Sequence, residues 1–282
     1  MRNQILDDIL KGVADGEIVP YLGPGVLADV RGRETGEPMP ADSDSLILAM
    51  NKGRPMAPKL MFEFPRAAMN IELKRGRRAV YQFLTNTYGQ KNWTRGAVFD
   101  WLAQLKPPYI IDINRDLQLQ QIYADTPHIL IKGLARIGGT DFRYVLFHYD
   151  GGSYRQIDNH DADPSLPVLF KPMGLPEPDT GYIATDADYV DYITELMGGF
   201  AIPAFLKASR RGKRYLFCGM RFIRDTERMV MSDLIYDAGT PAGYALIANP
   251  SDKERRYCAK QNIEIVETDI SEFLETEALV QS

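Results

Sequence analysis

Glu17-Ile18-Val19-Pro20-Tyr21-Leu22-Gly23-Pro24-Gly25-Val26-Leu27-Ala28 is the stretch on which the fold turns. Its first half is short and mostly apolar, the pattern of a buried strand, and it runs directly into a Gly-x-Gly turn. Such a turn has two readings. It is either a tight turn, or a Rossmann-type cradle in which glycines let the backbone approach a pyrophosphate and a following helix N-terminus favours its charge. Pro24 stiffens the turn and removes one N–H that would otherwise be available to phosphate.

Working outward, Ile5, Leu6, Ile9, Leu10 and Val13 recur at helical spacing and predict a helix over 2–15. A Pro/Gly-rich loop follows from Arg31 to Pro40. Residues 44–104 are mostly helical in pattern, broken at Gly53-Arg54-Pro55, Pro58 and Gly89. From residue 108 strands and helices alternate. Strands are predicted at Tyr109–Ile113, His128–Lys132, Phe142–His148, Leu166–Phe170, Tyr215–Cys218, Tyr244–Ala248 and Ile263–Val266, and Tyr154–Ile157 completes a hairpin. Helices are predicted at Leu117–Tyr123, 186–197 and 203–210, and after each of the last three strands. This alternation predicts an α/β fold, a Rossmann-like and mostly parallel sheet with helices on both faces. The whole chain, 1–282, reads as one such domain, with 31–104 as a mostly helical insertion within it.

Composition narrows the function classes. With 33 basic and 38 acidic residues the net charge is -5, which argues against a general nucleic-acid role. The run Lys74-Arg75-Gly76-Arg77-Arg78 reads as a solvated helix face. The two cysteines, Cys218 and Cys258, exclude a four-thiolate zinc site, and no metal is expected. No apolar stretch approaches the ~20 residues of a membrane span. The amphipathic, acid-bearing first helix lacks the pattern of a secretory signal, so the expected location is the cytoplasm.

The candidate site residues sit at strand ends, where open parallel sheets bind ligands. Asp112-Ile113-Asn114-Arg115-Asp116 follows a strand, and Asn114 and Asp116 suit either a ribose or amide contact or a helix N-cap. Gly219 and Asn249 follow two later strands. Arg221 and Arg224 suit phosphate, or else Arg224 and Arg228 pair along a helix surface with Asp225 and Glu227.

Taken in order, these segments resemble the sirtuin-like (silent-information-regulator-like) family, most closely the zinc-free branch found in bacterial NAD-consuming proteins. The family's strand and Gly-Ala-Gly-Val-Ser is similar to VPYLGPGVL here, and its Thr-Thr-Asn-Tyr-Asp to YIIDINRD. Lys-Leu-His-Gly compares with VLFKPMG at 168–174, and Thr-x-x-Asp-Tyr with ATDADYVDYI. Ile-Pro-x-x-Leu and Phe-Leu-Gly-Tyr-Ser compare with IPAFL and YLFCGMRF. The resemblance covers about 17–30 and 105–275 and leaves the helical insertion unmatched.

The resemblance implies a site for NAD or an ADP-ribose-containing nucleotide. Gly23 and Gly25 would line the pyrophosphate, Asn114 and Asp116 the nicotinamide ribose, and Gly219 and Asn249 the adenosine half. The departures matter equally. The family's catalytic histidine falls on Met173, which cannot move a proton, and the two motif serines fall on Leu27 and Arg221. His128, His148 and His160 are read as structural. The expectation is therefore a nucleotide-binding protein with reduced or no catalysis, acting as a sensor or regulatory partner. Two alternatives stay open: an NAD glycohydrolase using Asn114 to position water, and a protein–protein scaffold with a vestigial pocket. A protein partner or a homo-oligomer fits any of the three.

Overall fold

The computed structural model describes residues 2–280. Helix α1 (Arg2–Ala14) buries Leu6, Ile9 and Val13 along one face and leads into β1 (Ile18–Leu22), all five of whose residues are buried. The segment then leaves the sheet through α2 (Ser43–Met50), α3 (Phe64–Arg75), α4 (Arg77–Tyr88) and α5 (Ala97–Leu105). It returns as β2 (Tyr109–Asp112), followed by α6 (Gln118–Ile122), β3 (His128–Gly133), the hairpin β4 (Tyr144–Tyr149) and β5 (Tyr154–Ile157), and β6 (Val168–Lys171). A small antiparallel pair, β7 (Gly174–Leu175) and β8 (Gly181–Tyr182), precedes α7 (Asp186–Met197) and α8 (Ala204–Ser209). The chain closes with β9 (Arg214–Cys218), α9 (Asp225–Leu234), β10 (Gly243–Leu246), α10 (Asp252–Lys260), β11 (Ile263–Val266) and α11 (Ile270–Val280).

Nine strands form one sheet in the order β11-β10-β9-β1-β2-β6-β3-β4-β5. Seven are parallel, and β4 and β5 extend the edge antiparallel, as the hairpin pattern predicted. Side chains alternate between two cores. Ile18, Leu22, Leu216 and Cys218 face a layer built with α1 to α6 and α11. Val19, Tyr21, Tyr215 and Phe217 face a layer containing residues of α7, α8 and α9. Covering both faces is what lets a parallel sheet be apolar throughout. Pro20 is tolerated in this central strand because β1 pairs with β2 only from Tyr21 onward.

The order of connections positions the site. β1 and β9 are parallel neighbours, yet the chain leaves β1 toward the α2–α5 layer and leaves β9 toward α9 on the other face. Their carboxyl ends therefore diverge, and a crevice opens at this switch point. At its base the two outgoing turns touch. The Gly23 and Gly25 N–H groups donate to the carbonyls of Cys218 and Gly219, at 2.8 and 2.9 Å.

Glycine is a steric requirement here. A Cβ on Gly25 would lie 2.8 Å from the Gly219 Cα, and one on Gly219 would lie 2.4 Å from the Val26 nitrogen, with φ at +70°. Gly219→Ala should cost roughly 1–3 kcal/mol from the left-handed backbone alone. The loss should show as a lower urea midpoint at unchanged m-value. A variant as stable as the wild type would contradict the tight junction.

Candidate functional site

Two adjoining spaces open over the switch point. The larger, about 1100 Å³, is lined by Gly25, Gly219, Arg221 and Ile247 from the strand ends, and by Met39, Ser45 and Trp93 from the helical segment. The smaller, about 40 Å³, is lined by Asn114, Arg115, Met173, Phe64 and Tyr189. Pro24, Ala41, Ser43 and Glu227 line both, so the small chamber is an inner recess of the large cleft.

Asn114 owes its position to a buried ion pair. Lys171 Nζ at the end of β6 donates to Asp112 Oδ2 at the end of β2 over 2.6 Å, and neither side chain is exposed to solvent. Burial pushes the Asp112 carboxyl up to about 6, while Lys171 pulls it down. The other carboxylate oxygen, Oδ1, accepts both the backbone N–H and the Nδ2 of Asn114, each at 2.9 Å. The Asn114 Nδ2 also donates to the Gly23 carbonyl at 3.0 Å, tying β2 to the glycine turn. Two acceptors fix the orientation of the amide, since only nitrogen can donate to both. The Asn114 carbonyl oxygen carries no hydrogen bond among the described residues and is the end free for a ligand or water.

Arg115, also buried, donates through Nη2 to the Ile183 carbonyl and lies over the Phe64 ring, while its Nε has no hydrogen-bond partner. Met173, 3% exposed, faces the inner chamber. A thioether neither takes nor gives a proton at neutral pH. None of the three histidines lines either space. His128 is held between the Thr126 carbonyl and the Tyr154 hydroxyl at 2.7 Å each, and burial lowers it to about 4.

Glu227 is the group that sequence reasoning missed. Its sequence neighbours suggest a partner for arginines along the α9 surface. In the structure Arg228 pairs with Asp225, and Arg224 reaches Asp44 and the Phe62 carbonyl. Glu227 instead turns inward, and its carboxyl has no hydrogen bond among the described residues. Burial pushes it up to about 7; Arg224 and Arg115 pull it down, and Glu63 and Asp42 push it up further. The signal was present in the periodicity. Glu227 shares a helical stripe with the buried Val230, Met231 and Leu234.

The remaining expected residues divide. Gly25, Gly219, Arg221 and Asn114 are brought to the cavity walls, and Gly23 lies beneath them. Asp116 lines neither space. Its Oδ1 accepts from the Gln118 N–H at 2.9 Å at the start of α6, and Oδ2 is buried without a partner. Its Oδ1 is engaged in a local turn. Asn249 lines neither space and is exposed, because β10 ends at Leu246, two residues earlier than predicted.

Two of the expected phosphate contacts have donors already engaged within the fold. Arg221 is forked onto Glu254 at 2.7 and 3.2 Å, so Nε and Nη2 are already engaged. The glycine turn is followed by a four-residue 3-10 turn, Pro24–Leu27, rather than a helix, and the Gly25 N–H is spent on Gly219. The glycines act by close packing at the base of the cleft rather than as a ring of free N–H donors.

A doubly covered, mostly parallel sheet with a strand-end cleft at its switch point defines an α/β protein of Rossmann-like class. Residues 109–266 match the SIR2-like domain, more than half of the chain, and the protein belongs to that family. The matched region runs from β2 through β11 and leaves β1 with its glycine turn and the helices α2 to α5 outside it. A search of curated proteins finds no match. Among the described residues, no helix is long and apolar enough to cross a membrane.

The Asp112–Lys171 pair offers a direct test. Lys171→Met strands a buried carboxylate and should cost about 3–5 kcal/mol, and adding Asp112→Asn should recover part of it. Urea denaturation measures both variants. A loss below about 1 kcal/mol in the single variant would remove the pair from its organising role.

Proposed function

We propose that the cleft binds NAD or another nucleotide containing ADP-ribose, and that the histidine-dependent chemistry of the family is reduced or lost. The observation that carries this reading is the cleft of about 1100 Å³ at the β1/β9 switch point. It opens over glycine turns too tightly packed to admit side chains. Such a volume suits an extended dinucleotide better than a small metabolite. Membership of a family whose domains bind NAD supports the same ligand class.

On this reading the chain is a single nucleotide-binding unit. The helical segment 31–104 serves as its cap, contributing Met39, Ser45 and Trp93 to the walls. Gly25, Gly219 and the exposed part of Arg221 form the nucleotide floor, with Asn114 at the inner end. The cellular role is that of a nucleotide sensor or regulatory partner belonging to the zinc-free branch.

Calorimetric titration with NAD and with ADP-ribose tests the reading. Binding at a hundredfold excess over the dissociation constant should stabilise the fold by ~2.7 kcal/mol. Ala28 is exposed on the wall of the large cleft, so Ala28→Trp should fill it without disturbing the core. We expect at least a tenfold loss of affinity with unchanged melting. Absence of binding by the wild type, or full binding by the tryptophan variant, would sink the reading.

One observation favours residual hydrolysis as a second reading. The Asn114 amide is locked by its two donated bonds while its carbonyl oxygen stays free in the inner chamber, a geometry able to orient water.

A further inference from the structure

The inner chamber contains one acid–base group that the family pattern does not anticipate. Met173 leaves a gap in proton-handling chemistry at that wall. Glu227 reaches the same chamber from α9 and is one of four residues that line both the recess and the large cleft. Its carboxyl is tied up by no donor among the described residues. Its neighbours are instead spent on structure. Glu63 accepts the Asp225 N–H at 2.8 Å, Asp42 caps α2 through the Ser45 N–H, and Arg224 is bound to Asp44 and Phe62. A carboxyl without a hydrogen bond, lining the same chamber as an oriented amide, is the arrangement a proton acceptor needs.

We propose that Glu227 takes over the proton-accepting role in a hydrolytic cleavage of NAD, with Asn114 orienting the attacking water. This rests on the nucleotide-binding reading of the same cleft. The C1′–N bond to nicotinamide breaks, and its electron pair leaves with the ring, which departs as neutral nicotinamide without needing an acid. Water oxygen bonds to C1′. The proton it releases passes to the Glu227 carboxylate and then to solvent, giving ADP-ribose.

The groups facing Glu227 decide its pH behaviour. Arg224 lies just before its own helix, Glu63 at the start of α3, Asp42 at the start of α2, and Arg115 after β2, while Tyr21 and Tyr189 pack from β1 and α7. Burial dominates and holds the carboxyl near 7. The deprotonated acceptor therefore accumulates as pH rises through neutrality, and the rate should rise with it.

The raised value carries a stability consequence of definite sign. The folded protein holds this proton above the pH at which the unfolded chain releases it, so wild-type stability is lost as pH rises from about 4.5 toward 7. Glu227→Gln should escape that loss, and its melting advantage over wild type should grow between pH 5 and pH 8.

The experiment follows nicotinamide release from NAD by the full chain across pH 5–9, beside calorimetry with ADP-ribose. The wild type should show an ascending limb centred near pH 7. Glu227→Gln should lower kcat on the order of 100-fold and lose that limb, with ADP-ribose affinity within about threefold of wild type. Glu227→Asp, which keeps the charge on a shorter stem, should restore part of the rate and the limb.

No nicotinamide release by a wild type that binds ADP-ribose would overturn this proposal and leave the binding reading standing. No binding at all would remove both. An affinity loss in Glu227→Gln matching the loss of rate would make Glu227 a ribose-hydroxyl ligand and overturn the proton role. An unchanged pH profile would do the same.

Discussion

Asp112 and Lys171 form an ion pair with no solvent contact, at the carboxyl ends of two neighbouring strands. Burying both charges is expensive, and their mutual attraction offsets the cost only because further hydrogen bonds satisfy the carboxylate. Asn114 supplies those bonds through its backbone and its amide. The same amide then grips Gly23, so the ion pair holds β2 against the turn that follows β1. That turn is packed against Gly219 after β9. One desolvated pair thus sets the geometry of three strand ends, and the cleft is the space that their divergence leaves open.

Chemistry within the cleft follows from the side chains at its walls. Met173 offers the inner chamber a thioether that moves no proton, while Arg115 brings a buried positive charge. Glu227 meets this environment as a carboxyl whose two forms are close in energy at neutral pH. The helical segment contributes to the same balance. Glu63 caps the start of α9, and Asp44 together with the Phe62 carbonyl holds Arg224. The cap and α9 are therefore latched at the point where the recess opens into the larger cleft.

Much of the architecture was legible because it rests on local rules. Alternation of apolar strands with helices is a direct consequence of burying both sheet faces, and α7, β5 and β11 begin and end where the pattern placed them. What the sequence could not show were placements that depend on a three-dimensional neighbour. Asp116 and Asn249 have the right residue types near strand ends, but a two-residue difference in strand length or an Asx-type turn removes each from the cleft. The fork of Arg221 onto Glu254 of α10 could not be read from the sequence. Glu227 was hidden by its charged neighbours, although its helical phase matched the buried stripe.

The central claim is that the switch-point cleft is the nucleotide site. Hydrogen–deuterium exchange with and without saturating ADP-ribose tests it most directly, because it reports where the backbone is shielded. The account predicts slowed exchange in the turns after β1, β9 and β10 and in the segment before α2, with little change at the β4–β5 hairpin. Protection confined to that hairpin, or none at the strand-end turns despite saturation, would contradict it.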